Sequence, residues 1–311
     1  MPRSDRWILL ALVLLALVLR GSWLGLDELA HDEPFTVVMA HRSLPDLFSQ
    51  LATENNPPLH FLLMHGWVRL VPLDEAWLRL PSAVFGALAV WPLFLLGRAF
   101  GGTRVAITAV LLFLFSNYHQ GLAHEVRSYS LFTLLTCSVL WVLWMAAQGR
   151  PRAWIGLWLL NTLLLYTHFL GWAVVGLQVL LVLFPAFREA RRSLAGGLLG
   201  ALLLFAPYGA IFLQRVGSTV TQGSWLTAPT PEELYNMVWR WSNAPVLAVC
   251  FLAVIGWGLA RRKAADPGVQ LGLVWAFLPL FALFGASFIT PVFLDRYLAF
   301  AAPGFALLTA L

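Results

Sequence analysis

The sequence predicts an all-α fold: a polytopic transmembrane helix bundle of about ten spans, with further helices lying at the interface in the first outer loop. Three observations lead there. Of 311 residues, 60% are hydrophobic and only 11% charged, far too little charged surface for a soluble domain of this length. Apolar runs approaching the ~20 residues that cross a bilayer as a helix recur along the chain, so this is more than a single anchor. Between the runs, basic residues gather into five clusters: Arg3/Arg6, Arg98/Arg104, Arg150/Arg152, Arg188/Arg191/Arg192 and Arg261/Arg262/Lys263.

Positive residues mark cytoplasmic loops, so the five clusters are assigned to that side. They hold twelve of the 20 Lys and Arg and, with Asp5, Glu189 and Asp266, three of the 15 acids, leaving eight basic against twelve acidic residues outside. The net charge of +5 therefore reports topology, and nucleic acid is not expected as a partner. The two cysteines, Cys137 and Cys250, each lie within an apolar run and suggest neither a disulfide framework nor a thiolate metal site.

Two cytoplasmic clusters joined by an apolar stretch enclose an even number of crossings. Along the chain this gives five hairpins, with spans at 7–26, 77–97, 105–122, 128–147, 153–167, 169–187, 194–214, 244–260, 269–289 and 296–311. The first is read as a retained span, because Asp27 and Glu28 follow it directly with no small-residue cleavage site. Asn117, His119 and Gln120 interrupt the third. The hairpin between Arg152 and Arg188 is tight, with a turn expected near 167–171.

Two outer loops are long. In the loop 27–76, Phe35, Val38, Met39 and Arg42 recur at helical spacing, Ser43 to Asp46 has the capping-box pattern, and Asn55-Asn56-Pro57-Pro58 breaks the chain before a further apolar run. These helices are too short or too polar to span, and they are expected at the interface. In the loop 215–243, Thr230-Pro231-Glu232-Glu233 signals a helix start, and Leu234, Met237, Val238 and Trp241 form one stripe, read as resting on lipid.

The remaining ionisable residues gather at hairpin tips on one membrane side: His31-Asp32-Glu33, His60, His65, His124-Glu125-Val126-Arg127, His168 and Asp295-Arg296. Each taken singly has an ordinary explanation as a loop charge or anchor; jointly they suit a cavity between helices. Arg20, inside a span, is expected to snorkel outward. His60 and His65 are separated by roughly 140° around a helix and do not form a facing ligand pair. No metal site is assigned and no cofactor is firmly implied; a divalent metal assembled from different loops stays open.

A resemblance rests on particular residues. Leu19-Arg20, Asp32-Glu33, Asn56-Pro57-Pro58-Leu59-His60 and Trp77-Leu78-Arg79-Leu80-Pro81-Ser82 follow in order, then His124-Glu125-Val126-Arg127-Ser128-Tyr129, Tyr166-Thr167-His168-Phe169, and Arg296-Tyr297-Leu298 with Pro303. Together they resemble the GT-C membrane glycosyltransferases, in the bacterial branch related to protein O-mannosyltransferases and the lipid A aminoarabinose transferase. The latter carries Glu-Lys before the double proline, where this chain departs from it with Asn55-Asn56.

The resemblance implies a single transmembrane domain over 1–311 that moves a hexosyl, mannosyl or related sugar from a polyprenyl-phosphate carrier to a lipid, glycan or protein acceptor. It places the protein in the bacterial inner membrane, in contact with membrane lipids, with the active site on the extracytoplasmic side. Family members usually continue with further spans, so a chain that stops inside the run 296–311 is expected to be incomplete or naturally short. A phosphate leaves as a stable anion, so one carboxylate base and one or more cations suffice. Asp32 and Glu33 are the catalytic candidates; Arg127 and Arg296 suit the phosphate through their planar donors. His60, His124, Glu125, Tyr129 and His168 complete the candidate substrate-binding set. Two readings compete: a membrane transporter, against which the span centres nearly free of ionisable groups argue, and a non-catalytic lipid-handling subunit.

Overall fold

Helices alone build the chain in the computed structural model, which describes residues 1–222, 226–262 and 265–311, with no strand among them. Lys263 of the fifth basic cluster, and 223–225 of the second outer loop, lie outside the described residues.

The first helix, α1 (Arg3–Gly21), is held at both ends by charges that its apolar face could not carry unpaired. At its start, buried Asp5 accepts from Arg98 Nε at 2.5 Å and from Thr103 at 3.1 Å. Near its end, Arg20 is 1% exposed and donates to the carbonyls of His119 (2.7 Å) and Phe113 (3.3 Å). The snorkelling expectation is therefore wrong: Arg20 turns inward, because a break in a neighbouring helix leaves carbonyls that need a donor.

The outer loop folds as a cap of three short helices, α2 (Glu33–His41), α3 (Leu44–Leu51) and α4 (Leu59–Trp67). Ser43 caps α3 through the Asp46 amide, and Met39, Leu47, Leu51 and Phe61 form a small core between the three. Next come α5 (Glu75–Leu88) and α6 (Val90–Leu114). The latter is a hairpin: it reverses at Gly102, whose φ is +79°, and a Cβ on Gly97 would lie 2.7 Å from Ala106 Cα. Only glycine takes both the turn and the approach without strain, and Arg98 and Arg104 flank this bend as expected.

The interrupted third span ends at Leu114. Ser116 then caps a separate short helix, α7 (Asn117–Ala123). Two hairpin partners follow, α8 (Tyr129–Ala147) and α9 (Ala153–Thr167), then α10 (Gly171–Leu181), a 3₁₀ turn at Pro185–Ala190, and the long α11 (Arg191–Gln222). In the tight hairpin, Asn161 and Gln178, both fully buried, exchange amide hydrogen bonds of 2.7 and 3.1 Å across α9 and α10.

Helix α12 (Glu232–Ser242) meets α13 (Pro245–Arg261) at 90°. Its stripe does not rest on lipid: Met237, Val238 and Trp241 are at most 6% exposed, packed against α14 (Pro267–Ala286) and α15 (Ala302–Ala310), with a 3₁₀ turn at Asp295–Leu298 between those two.

By length and composition, four stretches among the described residues can cross a membrane: Glu75–Leu114, which includes the reversal at Gly102, Tyr129–Ala147, Pro185–Thr221 and Pro267–Ala286, with the bent pair α12 and α13 a fifth. The ten spans expected are not reached by this count. Helices α9 and α10, at 15 and 11 residues, extend only about 22 and 16 Å against a ~30 Å hydrocarbon core.

Candidate active site

The site begins with a buried lock. Glu33, 3% exposed, accepts from Arg79 Nε and Nη2, both at 2.9 Å, and from the backbone amides of Ala30 (3.0 Å) and Val126 (2.9 Å). Arg79 donates in addition to the carbonyls of Leu24, Asp27 and Glu28. Burial pushes the Glu33 carboxyl up, but the bonds from Arg79 and the two amides outweigh it and hold it below its ordinary range.

This lock sets the register of its neighbours. Because Glu33 grips the Val126 amide, Asp32 before the one and Arg127 after the other face each other across the cap. Asp32 occupies the N-cap position of α2, yet its side chain makes no cap bond. Its Oδ2 lies 2.8 Å from Arg296 Nη2 and 3.8 Å from Arg127 Nη2. His31, immediately before, sits in the left-handed region at φ +53°, a conformation that turns the chain sharply into the site.

Arg127 is 9% exposed, donates to Thr36 (3.3 Å) and Asn56 (3.4 Å), and lies over the Tyr129 ring at 5.9 Å. Arg296 lies 6.0 Å from the same ring. The Nε atoms of both arginines are buried and without a hydrogen-bond partner. His168 stacks on Phe132 (5.0 Å) and meets Tyr297 edge-on (5.4 Å), and its Nδ1 accepts from the Leu170 amide. His60 is 2% exposed with neither ring nitrogen partnered. Burial first, and then the charge of Arg127, push its imidazole down to about 3; His168 is pushed to about 3 by the same two causes.

Two cavities border this region, one reaching Tyr297 and the other its neighbour Arg296. One, about 420 Å³, is mostly apolar and runs past His168 and Tyr297 along Val216 and Val220 of α11, with Arg215 at its rim donating to Asn55. The other, also about 420 Å³, is polar and holds His31, Tyr118, Glu125, Asp295 and Arg296. Burial raises the Glu125 carboxyl above its ordinary range, against the attraction of Arg296.

The structure thus brings together Asp32, Arg127, Arg296, Tyr129, His60 and His168, with Glu125 on the polar side. His124 is not among them: its Nε2 donates to the Arg20 carbonyl at 3.1 Å and lies 2.8 Å from Gln120, tying α7 to α1. Arg79, Thr36, Asn56, Arg215 and Tyr297 were absent from the candidate set. Asn56, Arg79 and Tyr297 stood within the motifs that carry the resemblance; Arg215, at a predicted loop start, gave no signal. Among the described residues, no group of three or more His, Cys, Asp or Glu side chains converges as a fully protein-held metal ion would require, and no step is routed through a metal.

The fold is shared with solved membrane transferases. ArnT from Cupriavidus metallidurans bound to undecaprenyl phosphate superposes with a TM-score of 0.73 at 18% identity, over 99% of this chain and 60% of that one. Its apo state gives 0.74. The apo Archaeoglobus fulgidus oligosaccharyltransferase gives 0.65 at 12% identity, over 99% and 51% of the two chains. The chain spans about 60% of the length of ArnT, and no curated protein sequence matches it. These likenesses define the class: a multi-pass membrane protein of GT-C fold. Residues 55–211, half of the chain, match the dolichyl-phosphate-mannose-protein mannosyltransferase family, and the chain belongs to that family. Asp32 and Arg296 lie outside the matched range.

Proposed function

We propose that this chain transfers a sugar from a polyprenyl-phosphate carrier to an acceptor hydroxyl on the extracytoplasmic face of the membrane. The carrying observation is the position of Asp32: one carboxylate held between two guanidiniums whose buried Nε atoms lack partners. An unpartnered buried donor is costly, and a phosphate supplies the acceptor oxygens that satisfy it. The apolar cavity beside them suits an isoprenoid chain, and the ArnT structure named above holds undecaprenyl phosphate.

In this reading the carrier phosphate takes over Arg296 and Arg127, and Asp32, released from Arg296, turns to the acceptor. The acceptor oxygen attacks the anomeric carbon, its proton passes to Asp32, and the bond to the phosphate oxygen breaks with its electron pair, leaving a polyprenyl phosphate held by the two arginines. No general acid is needed, since the phosphate oxygen leaves as part of a stable, weakly basic anion. Glu33, engaged by four donors, serves as scaffold in place of the second base the sequence suggested.

The test is transfer from a labelled polyprenyl-phosphate sugar. Asp32→Asn keeps the shape and one acceptor oxygen toward Arg296, and removes no cap bond since Asp32 makes none, but it cannot take a proton. It is expected to lower transfer by at least about 10²-fold with donor binding and melting temperature retained. Near-parental transfer by this variant assigns Asp32 to structure and overturns the mechanism. Arg127→Lys is expected to weaken donor binding and Arg127→Ala to weaken it further, because lysine keeps the charge but loses the fork.

A further inference from the structure

Arg296 and Tyr297 are consecutive, yet they line different cavities. Tyr297 borders the apolar one and Arg296 the polar one, with Asp32 bonded to Arg296 between them. Two cavities of opposite character therefore meet at consecutive residues, one of which holds the Asp32 carboxylate. The polar cavity does not stop at the catalytic group: it shares Leu294 and Asp295 with a further polar cavity of about 440 Å³, walled by Thr230, Glu233 and Arg240. Arg240 Nη1 lies 3.2 Å from Asp295 Oδ2 at the joint.

Resting on the donor reading above, we propose that the acceptor is a neutral carbohydrate chain of at least two sugar units, lying in this polar trough with its reactive hydroxyl toward Asp32. Each half has the volume of a small-molecule pocket. Its walls supply planar groups with paired donors or acceptors, namely the Glu125 and Asp295 carboxylates, the Asn117 amide and the guanidiniums of Arg240 and Arg296, of the kind that bind adjacent hydroxyls of a sugar ring. Tyr118 and Leu122 give the apolar patch that a ring's C–H face requires. The Glu125 carboxylate, in the wall of this cavity, has no hydrogen-bond or ion-pair partner among the described residues and is left for a ligand. The chemistry of the trough disfavours the other acceptor classes. An acyl chain would strand these polar groups, and no exposed sheet edge exists among the described residues to pair with a peptide backbone.

The experiment incubates the full chain in detergent with labelled polyprenyl-phosphate hexose and, in parallel, a panel of soluble di- and trisaccharides, a serine- and threonine-containing peptide, and diacylglycerol. Label is expected on a saccharide. Arg240→Gln and Asp295→Asn are expected to raise the saccharide KM about tenfold with kcat within twofold and melting temperature kept, a split that a merely structural role does not give. Label on peptide or diacylglycerol, or on water alone with every acceptor, overturns the proposal while leaving the donor reading intact. Label that stays on the carrier throughout overturns both. Unchanged saccharide KM in both variants also sinks the trough.

Discussion

Replacing Glu33 by Gln tests the division of labour between two adjacent carboxylates. The substitution keeps the shape and one acceptor oxygen but removes the charge opposite Arg79, where both side chains are at most 5% exposed. Breaking one partner of a buried pair costs about 3–5 kcal/mol. Arg79 retains three carbonyl acceptors, those of Leu24, Asp27 and Glu28, which places the loss near the lower end, about 3 kcal/mol. Unfolding followed by tryptophan fluorescence in detergent should show it as a lowered melting temperature. Arg79→Met should be comparably harmful, and the double variant should lose less than the two together, with a coupling of about 1–3 kcal/mol. The pH dependence has a definite sign. Because the folded Glu33 carboxyl is held below its ordinary range, its contribution is complete above the unfolded pKa and is lost as pH falls through the folded one. Parent stability should thus drop below about pH 4, and the Gln variant should be flatter there. A Glu33→Gln protein that melts like the parent yet transfers no sugar would make Glu33 the base and refute the scaffold argument.

Asn161→Leu or Gln178→Leu alone leaves the other's buried amide oxygen without a donor, its NH2 keeping a backbone carbonyl, and should cost about 1–2 kcal/mol, whereas the double Leu variant should melt near the parent. Gly97→Leu should destabilise the α6 hairpin, since its Cβ alone would approach Ala106 Cα to 2.7 Å; unchanged melting would mean the two arms are not packed at that point. His60, with its pKa depressed to about 3, stays neutral where the unfolded chain protonates. The His60 share of stability should therefore decline as pH falls from about 6.5, by at most about 1.4 kcal/mol per pH unit, and His60→Gln should make the measured slope shallower by that share, leaving the part due to His168. A cysteine at Glu54 should react with an impermeant reagent added outside intact cells while one at Arg191 should not; labelling at 191 overturns the topology.

Where the sequence was legible, one local signal sufficed. Long apolar runs bounded by arginines gave the helices at 128–147, 153–167 and 244–260 within a residue or so of Tyr129–Ala147, Ala153–Thr167 and Pro245–Arg261. Burial of apolar side chains and charge placement act on each segment independently of its neighbours. The cap helices were legible for a similar reason, since Ser43 and the double proline act on their own backbone. Partner choice was not legible. Arg20 carries the same charge whether it faces lipid headgroups or the carbonyls of Phe113 and His119, and the α12 stripe is equally apolar against lipid or against α15.

The site itself divides the same way. Its residue types and their common membrane side could be read from the hairpin tips, but Asp32 and Glu33 are adjacent and chemically alike, and no property of the sequence says which one meets Arg79. The packing of α2 over α5 decides it, turning Glu33 into the buried lock and leaving Asp32 facing two arginines from segments far along the chain. Local sequence determines which groups exist at the outer face; the direction each points is fixed by contacts among distant segments, which only the folded chain contains.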